Sequence, residues 1–169
     1  MQDSELQYLR RCIELAEQAL DAGDAPFGSV LVDAQGTALA EARNRIGGGD
    51  HTQHPEFELV RWAAQHMTPE QRATATVYTS GEHCPMCSAA HGWVGLGRIV
   101  YISSARQLLE WHQDMGLAPP PVNMLPIQDI APNVRVEGPV DMLVGEVEAL
   151  HRRRHGGRGR VVERLLDDA

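Results

Sequence analysis

Two short stretches of the chain contain the residue types that could do chemistry. His54 and Glu56 flank Pro55, and two further residues separate Cys84 from Cys87. Thiolate sulfur and neutral imidazole are good zinc ligands, and three such ligands leave one tetrahedral position open for water, as a catalytic zinc ion requires. A zinc-bound water ionises near neutral pH, and a nearby carboxylate such as Glu56 could move its proton. The spacing therefore predicts one hydrolytic zinc site, with one Zn²⁺ per chain.

The local sequence predicts that both stretches lie at helix N-termini. Pro55 and Pro85 suit the first helical position, where the missing N–H costs nothing. Residues 76–80 are typical of a strand that leads to Cys84. A helix N-terminus favours negative charge and so helps a thiol to ionise. Two helix N-termini are therefore expected to meet at the metal ion.

Hydrophobic periodicity predicts an α/β protein. Helices are expected over residues 3–22, 56–66, 85–94 and 141–155, the last with Asp141 as its cap, and strands over 29–33, 37–44, 76–80, 98–102 and 134–137. The second helix has apolar residues around much of its circumference, which predicts a buried helix. Residues 67–72 are predicted to form a polar turn in which Pro69 stops that helix. Residues 103–132 are the least regular, and the prolines at 119–121 favour extended backbone.

Composition narrows the class of partner and the compartment. The 169 residues are 43% hydrophobic and 22% charged, with a net charge of −8 and arginine as the only fully basic residue type. An acidic surface disfavours broad phosphate binding, so a small-molecule substrate is expected and nucleic acid is not. Three cysteines are too few for a disulfide framework, and no apolar run would span a membrane, which predicts a cytoplasmic protein. The arginine-rich run 152–160 is either solvated surface or a site for an anionic partner.

The pattern His-x-Glu followed by Cys-x-x-Cys resembles the signature of the zinc-dependent cytidine/deoxycytidylate deaminase-like superfamily. Residues 25–33 look like the first strand of that family, residues 78–82 look like its approach to the cysteines, and the similarity covers about residues 5–102. In motif the chain is most similar to the guanine deaminase and tRNA adenosine deaminase branch. The resemblance implies that His54, Cys84 and Cys87 are metal ligands and that Glu56 is the catalytic proton shuttle.

The same resemblance implies a fold and an activity. The fold would be a cytidine deaminase-like three-layer α/β/α arrangement with a mixed sheet of about five strands. Residues 1–169 would form a single deaminase domain, with a core over about 5–102 and a lid and C-terminal helix region over about 103–169. The activity would be hydrolytic deamination of a free nucleobase or nucleoside, with a guanine-like purine or related amino-heterocycle favoured. Family members commonly pair, so a homodimer is expected.

The resemblance also implies residues that contact the substrate. Asn44 matches a substrate-binding asparagine, although a loop asparagine can also satisfy its own turn. Trp93 matches a tryptophan of the guanine deaminases and Asp114 lies near their guanine-contacting aspartate, while Trp111 could stack on a planar ring. Core or loop positions are the alternatives for each of these. The complete expected set is Asn44, Phe27, Pro55, Glu82, His83, Trp93, Trp111 and Asp114.

Two features depart from the guanine deaminase pattern. His83 replaces the proline that usually precedes the first cysteine, and the C-terminal sequence lacks the aromatic residue that closes the guanine site. A cytosine or cytidine deaminase and a tRNA adenosine deaminase therefore remain alternatives.

Three readings outside this enzyme class also remain. The cysteine pair could be a thioredoxin-like redox site, or the metal could be a closed structural zinc with His83 or Cys12 as fourth ligand. The third is a catalytically silent zinc-binding interaction module. Glu56 argues against the second and third readings, and Cys12 is expected to be a small core residue.

Overall fold

The computed structural model describes residues 3–156, which form a five-stranded mixed sheet covered by helices. The strand order is β2-β1-β3-β4-β5, in which β1 pairs antiparallel with β2 and β3, while β3, β4 and β5 are parallel. The elements in chain order are α1 Asp3–Asp21, β1 Gly28–Val32, β2 Ala38–Arg43, α2 Pro55–His66, α3 Pro69–Thr74, β3 Thr76–Gly81, α4 Pro85–Val94, β4 Arg98–Ser103, α5 Ala105–Asp114, α6 Ile127–Ile130, β5 Val136–Glu137 and α7 Asp141–His155.

The helices form two layers because alternate residues of each strand face opposite sides of the sheet. Val30 and Val32 of β1 join one core with residues of α1, α5 and α7. Leu31, between them, joins a second core with residues of α2 and α4. A third cluster packs α6 against Ile99 and Tyr101 of β4, on the same face of the sheet as α2 and α4. The predicted α/β architecture and its mixed five-stranded sheet are confirmed.

Helix α1 lies unusually close to the sheet at Gly28. A Cβ atom at this position would lie 2.5 Å from the carbonyl oxygen of Cys12 and 2.5 Å from Cβ of Leu15. Only glycine therefore permits this contact. Cys12 is fully buried in the same core, as expected for a small core residue.

Two segments that were predicted to contain no helix each contain one. The segment expected to be a polar turn contains α3, whose first residue is Pro69, and the irregular segment after β4 begins with α5. Both helices start with a capping box, in which the side chain of Thr68 or Ser104 accepts the N–H of a glutamine three residues later and that glutamine caps in return. The hydrogen bonds of these capping boxes thus favour a helix in segments whose prolines and polar composition had indicated a turn or irregular structure.

Two smaller predictions also need correction. Asp141 is the first residue of α7 and Val140 occupies the cap position. Helix α2 is amphipathic rather than buried on all sides, because Arg61, Ala64 and Gln65 are exposed. Within residues 3–156, no helix combines the length and the apolar character needed to cross a membrane.

Candidate metal and active site

Three predicted ligand atoms form a compact triangle. His54 Nδ1 lies 3.6 Å from Cys84 Sγ and 3.7 Å from Cys87 Sγ, and the two sulfur atoms are 3.6 Å apart. A tetrahedral ion with bonds of about 2.0–2.3 Å needs ligand separations of about 3.4–3.8 Å, which these distances match. Among residues 3–156, this is the one group of His, Cys, Asp or Glu that could hold a metal ion. Neither His83 nor Cys12 belongs to it, so a closed four-ligand site is not supported.

Two helix N-termini present these ligands, as the sequence predicted. His54 is the N-cap of α2 and Cys84 is the N-cap of α4, and in both helices proline occupies the next position. Both caps have extended backbone, which turns each chain sharply into its helix. A hydrogen bond from Cys87 lowers the pKa of the Cys84 thiol to about 4, which favours the thiolate that binds metal.

Glu56 lies beside this triangle and is only 5% exposed. Its Oε1 accepts a hydrogen bond of 3.1 Å from Thr79 Oγ1, and Oε2 is 3.9 Å from Cys87 Sγ. Ser29 Oγ lies 2.9 Å from Thr79 Oγ1 and supports it. Burial raises the pKa of Glu56 to about 7, although the neighbouring His54 opposes this shift. A carboxyl group with such a pKa can both accept and donate a proton near neutral pH.

Sequence reasoning missed Thr79 and Ser29 as partners of the site. Both are polar strand residues, and both are fully buried. A hydroxyl group on a buried strand position needs a hydrogen-bond partner, and that requirement was the signal available in the sequence.

Asn44 is buried next to the site, immediately after β2. Its Oδ1 accepts the backbone N–H groups of Ala25 at 3.3 Å and Ile46 at 3.1 Å. The side chain therefore shapes its own turn, which was the alternative to a substrate contact. Because both hydrogen bonds use the oxygen, the amide nitrogen is the group that remains for a substrate.

Asp24 also fixes this turn and was not singled out in the sequence. Its carboxylate accepts hydrogen bonds from Arg43 at 2.8 Å and from the backbone N–H of Gly47 at 2.7 Å. These contacts join the end of α1 to the segment that leads to His54.

Phe27 is half-buried at the same end of the sheet, just before β1. A Cβ atom on Gly81 would lie 2.9 Å from its ring, so the ring rests on the backbone that leads to Cys84. On its other side, the ring of His151 lies 5.0 Å away in an edge-to-face contact. Pro55 is buried in the first turn of α2. Phe27 thus packs on Gly81, three residues before Cys84, and Pro55 directly follows His54. Their contact with a substrate stays a prediction.

Glu82 and His83 are directed elsewhere than a substrate pocket. Both carboxylate oxygens of Glu82 accept backbone N–H groups, from Ala105 at 2.8 Å and Ile127 at 3.0 Å. The His83 ring is fully buried, and it packs edge-to-face on His91 with 5.3 Å between ring centroids. Because His91 lies one helical turn beyond Cys87, the His83 ring points along α4 away from the metal ligands.

Three further residues that were expected to contact the substrate, Trp93, Trp111 and Asp114, lie at the surface or in the core. Trp111 is 6% exposed in the core shared by α1, α5 and α7. Asp114 is the exposed last residue of α5, and its carboxylate lies 3.6 Å from Arg152. Trp93 is 91% exposed on α4, so it is not the core aromatic of the alternative reading.

The arginine-rich run is partly neutralised by the protein itself. Arg152 pairs with Glu148 at 2.6 Å, and Arg153 pairs with Glu17 of α1 at 2.7 Å. These pairs support the solvated-surface reading over that of an anionic partner. Arg158 and Arg160 lie outside the described residues.

His151 is a buried histidine whose ionisation should affect stability. Burial, with His112 and His155 nearby, lowers its pKa to about 3. Below about pH 6.5 the unfolded chain binds a proton that the folded protein excludes, so the free energy of unfolding falls on acidification by up to about 1.4 kcal/mol per pH unit. We expect His151→Leu to reduce this slope between pH 6.5 and 4.5, measured by denaturant unfolding. The exposed His51→Leu variant is the control and should keep the wild-type slope.

Comparison with known proteins agrees with this geometry. Residues 2–103 match the family model described as the cytidine and deoxycytidylate deaminase zinc-binding region. The Schizosaccharomyces pombe protein named "Probable cytosine deaminase" is 37% identical over 120 residues, which are 71% of this chain and 73% of the relative. The guanine deaminase of Bacillus subtilis is 34% identical over 96 residues, covering 56% and 61% of the two chains. The tRNA-specific adenosine deaminase of Haemophilus influenzae is 33% identical over 106 residues, covering 58% and 57%.

Solved structures show the same fold. A structure of NE0047 with 2,6-diaminopurine superposes with a TM-score of 0.67 at 20% identity, covering 92% of this chain and 83% of that one. The guanine deaminase structure from Bacillus subtilis gives 0.56 at 27% identity, covering 75% and 83%.

The chain therefore belongs to the cytidine and deoxycytidylate deaminase family, whose members bind zinc and deaminate their substrates. It spans about three fifths of the bacterial guanine and tRNA adenosine deaminases that it matches. The donor set of one imidazole and two thiolates suits zinc, and a single group of this kind is present among the described residues.

Proposed function

We propose that this protein deaminates a free nucleobase or nucleoside by zinc-dependent hydrolysis and releases ammonia. The observation that carries the proposal is the position of Glu56, which lies 3.9 Å from Cys87 Sγ beside the His54, Cys84 and Cys87 triangle. A silent zinc-binding module would not need a buried carboxylate at the open side of the ligand set.

The residues of the chain have separate parts in this reaction. His54, Cys84 and Cys87 would hold the ion, which when bound lowers the pKa of water to near neutrality and supplies the nucleophile. Glu56 would take one proton of the attacking water to a ring nitrogen of the substrate. It would then take a second proton, from the hydroxyl group added to the ring carbon, to the amine, which leaves as ammonia when its bond to that carbon breaks. Thr79 orients Glu56 through its 3.1 Å hydrogen bond. We expect the amide nitrogen of Asn44 and the ring of Phe27 to contact the substrate ring.

We propose cytosine as the first candidate substrate and guanine as the second. Asp114, which would favour guanine, lies at the surface, and Trp111, which could stack on a planar ring, lies in the core. The fission yeast relative, named for cytosine, matches over more of this chain than the guanine deaminase relative does.

The test is ammonia release from purified protein, with zinc measured on the same sample. The panel contains cytosine, cytidine, guanine, isocytosine, adenosine and an adenosine-containing tRNA anticodon stem. Release from cytosine alone supports the first candidate, and release from guanine alone supports the second. Release from the RNA alone would favour the tRNA branch, and a zinc-loaded protein that releases no ammonia from any of them would contradict the proposal.

A homodimer through α2 and α4 is also proposed, on the exposure of apolar side chains there. Trp93 is 91% exposed on α4, while Phe57 and Trp62 of α2 are half-exposed. An exposed aromatic residue beside other apolar groups is typical of an interface. We expect Trp93→Glu to convert a dimer to a monomer in light scattering, whereas Met142→Glu, which changes an exposed residue of α7, should leave the mass unchanged. A wild-type monomer at all concentrations would contradict the proposal.

The cytoplasmic location stays a prediction from the cysteine content.

A further inference from the structure

Glu82 joins three segments of the chain at one buried carboxylate. The residue is 9% exposed and lies between the end of β3 and the ligand Cys84. Its Oε2 accepts the N–H of Ala105 at 2.8 Å, and its Oε1 accepts the N–H of Ile127 at 3.0 Å. Its own N–H donates to the carbonyl of Ser103 at 2.7 Å, which fixes the Glu82 backbone to the end of β4.

The two N–H groups that donate to Glu82 lie at helix N-termini. Ala105 is the first residue of α5 and Ile127 is the first residue of α6. The first N–H groups of a helix have no acceptor within the helix, so each needs an acceptor from elsewhere when buried. One carboxylate supplies both acceptors, and it thereby holds together the two ends of the segment 105–127. Hydrogen bonds to a charged acceptor are stronger than those to a neutral one.

This segment reaches the candidate site through aromatic contacts. Trp111 of α5 lies 5.7 Å from the ring of His151, and His151 lies 5.0 Å from the ring of Phe27. Phe27 also touches Gly81, the residue before Glu82. The position of the Phe27 ring thus depends on α5 from one side and on the Glu82 segment from the other.

We propose that Glu82 is a positioning residue for the reaction, because it holds both ends of segment 105–127 and, through α5 and His151, the Phe27 ring, which packs on Gly81, three residues before Cys84. This inference rests on the proposed deaminase function. Glu56 and the metal ligands lie on α2 and α4 or directly before them, which Glu82 does not hold through these bonds. Loss of the carboxylate should therefore affect substrate binding more than the chemical step.

The first experiment replaces Glu82 by glutamine, which keeps the shape but offers one acceptor oxygen and turns an NH₂ group toward an N–H. We expect KM for the substrate found in the panel to rise about 10–100-fold, the loss expected for one hydrogen bond to a charged group, while kcat stays within about threefold. Zinc content should remain that of the wild type. The matched control is Glu58→Gln on the exposed face of α2, which should change neither constant.

A second measurement uses the wild-type protein and does not depend on activity or on the folding of a variant. Amide hydrogen exchange should be slow at Ala105 and Ile127 and fast at Arg106, which follows Ala105 but does not bond to Glu82. In Glu82→Gln, exchange should increase at one or both of the first two. Unchanged KM, or fast exchange at both amides in the wild type, would overturn the proposal. If no substrate is deaminated, the proposed function fails while the exchange data still test this role of Glu82.

Discussion

Replacement of Glu56 by alanine or glutamine should abolish turnover while zinc stays bound. The carboxyl group is buried, its pKa is raised to about 7, and it lies beside the ligand triangle without belonging to it. Removal of a general acid and base typically costs about 10²–10⁴-fold in rate. Glutamine preserves the volume of the side chain and an acceptor for Thr79, so its effect isolates proton transfer. The measurement is kcat by ammonia release, with zinc quantified on each sample.

Glu58→Gln supplies the control for this prediction. It makes the same chemical change two residues further along α2, at an exposed position, and should retain wild-type activity. A Glu56→Gln protein that turned over at the wild-type rate with one zinc per chain would remove Glu56 from the mechanism.

Replacement of Cys87 by alanine should remove the metal and its stabilising effect together. Cys87 Sγ lies within 3.7 Å of both other ligand atoms, and two ligands cannot hold zinc as tightly as three. We expect zinc content near zero after dialysis against a chelator, and no increase in Tm when zinc is added back. The wild-type Tm should rise with added zinc, because a ligand that binds only the folded state stabilises it.

Cys12 offers a matched control for the cysteine. It is also fully buried, but it is a residue of α1, in the core that α1 shares with α5 and α7, and it does not belong to the ligand group. Cys12→Ala should lose about 1–2 kcal/mol of stability through a small cavity and still bind one zinc per chain. Stoichiometric zinc in Cys87→Ala would show that another group holds the ion.

The candidate metal site could be predicted from the sequence because short-range sequence features determine the position of each predicted ligand. His54 and Cys84 are both N-caps followed by proline, so short-range sequence determines where they point. The fold could be predicted for a similar reason, since β1 and β4 contain runs of apolar residues and β1 is buried at all five positions.

The substrate contacts were not readable, because they depend on how distant segments pack. Trp111 and Asp114 lie on α5, a helix that the prolines downstream obscured although Ser104 and Gln107 carried its capping signal. Helix α5 turns Trp111 inward to the core and leaves Asp114 at the surface. Asn44 shows the same limit, since the backbone N–H groups that occupy its oxygen come from residues 25 and 46.

The sheet separates two kinds of residue, and this separation bears on how such a protein can diversify. The residues proposed to move protons or bind metal lie on or directly before α2 and α4, whereas the Phe27 ring contacts His151 of α7, which in turn contacts Trp111 of α5. Substitutions among the α5 and α7 residues behind Phe27 can therefore move its ring without changing the hydrogen bonds of Glu56. Selection for a different substrate ring could therefore change residues of α5 and α7, while α2 and α4 keep the residues of the hydrolytic reaction.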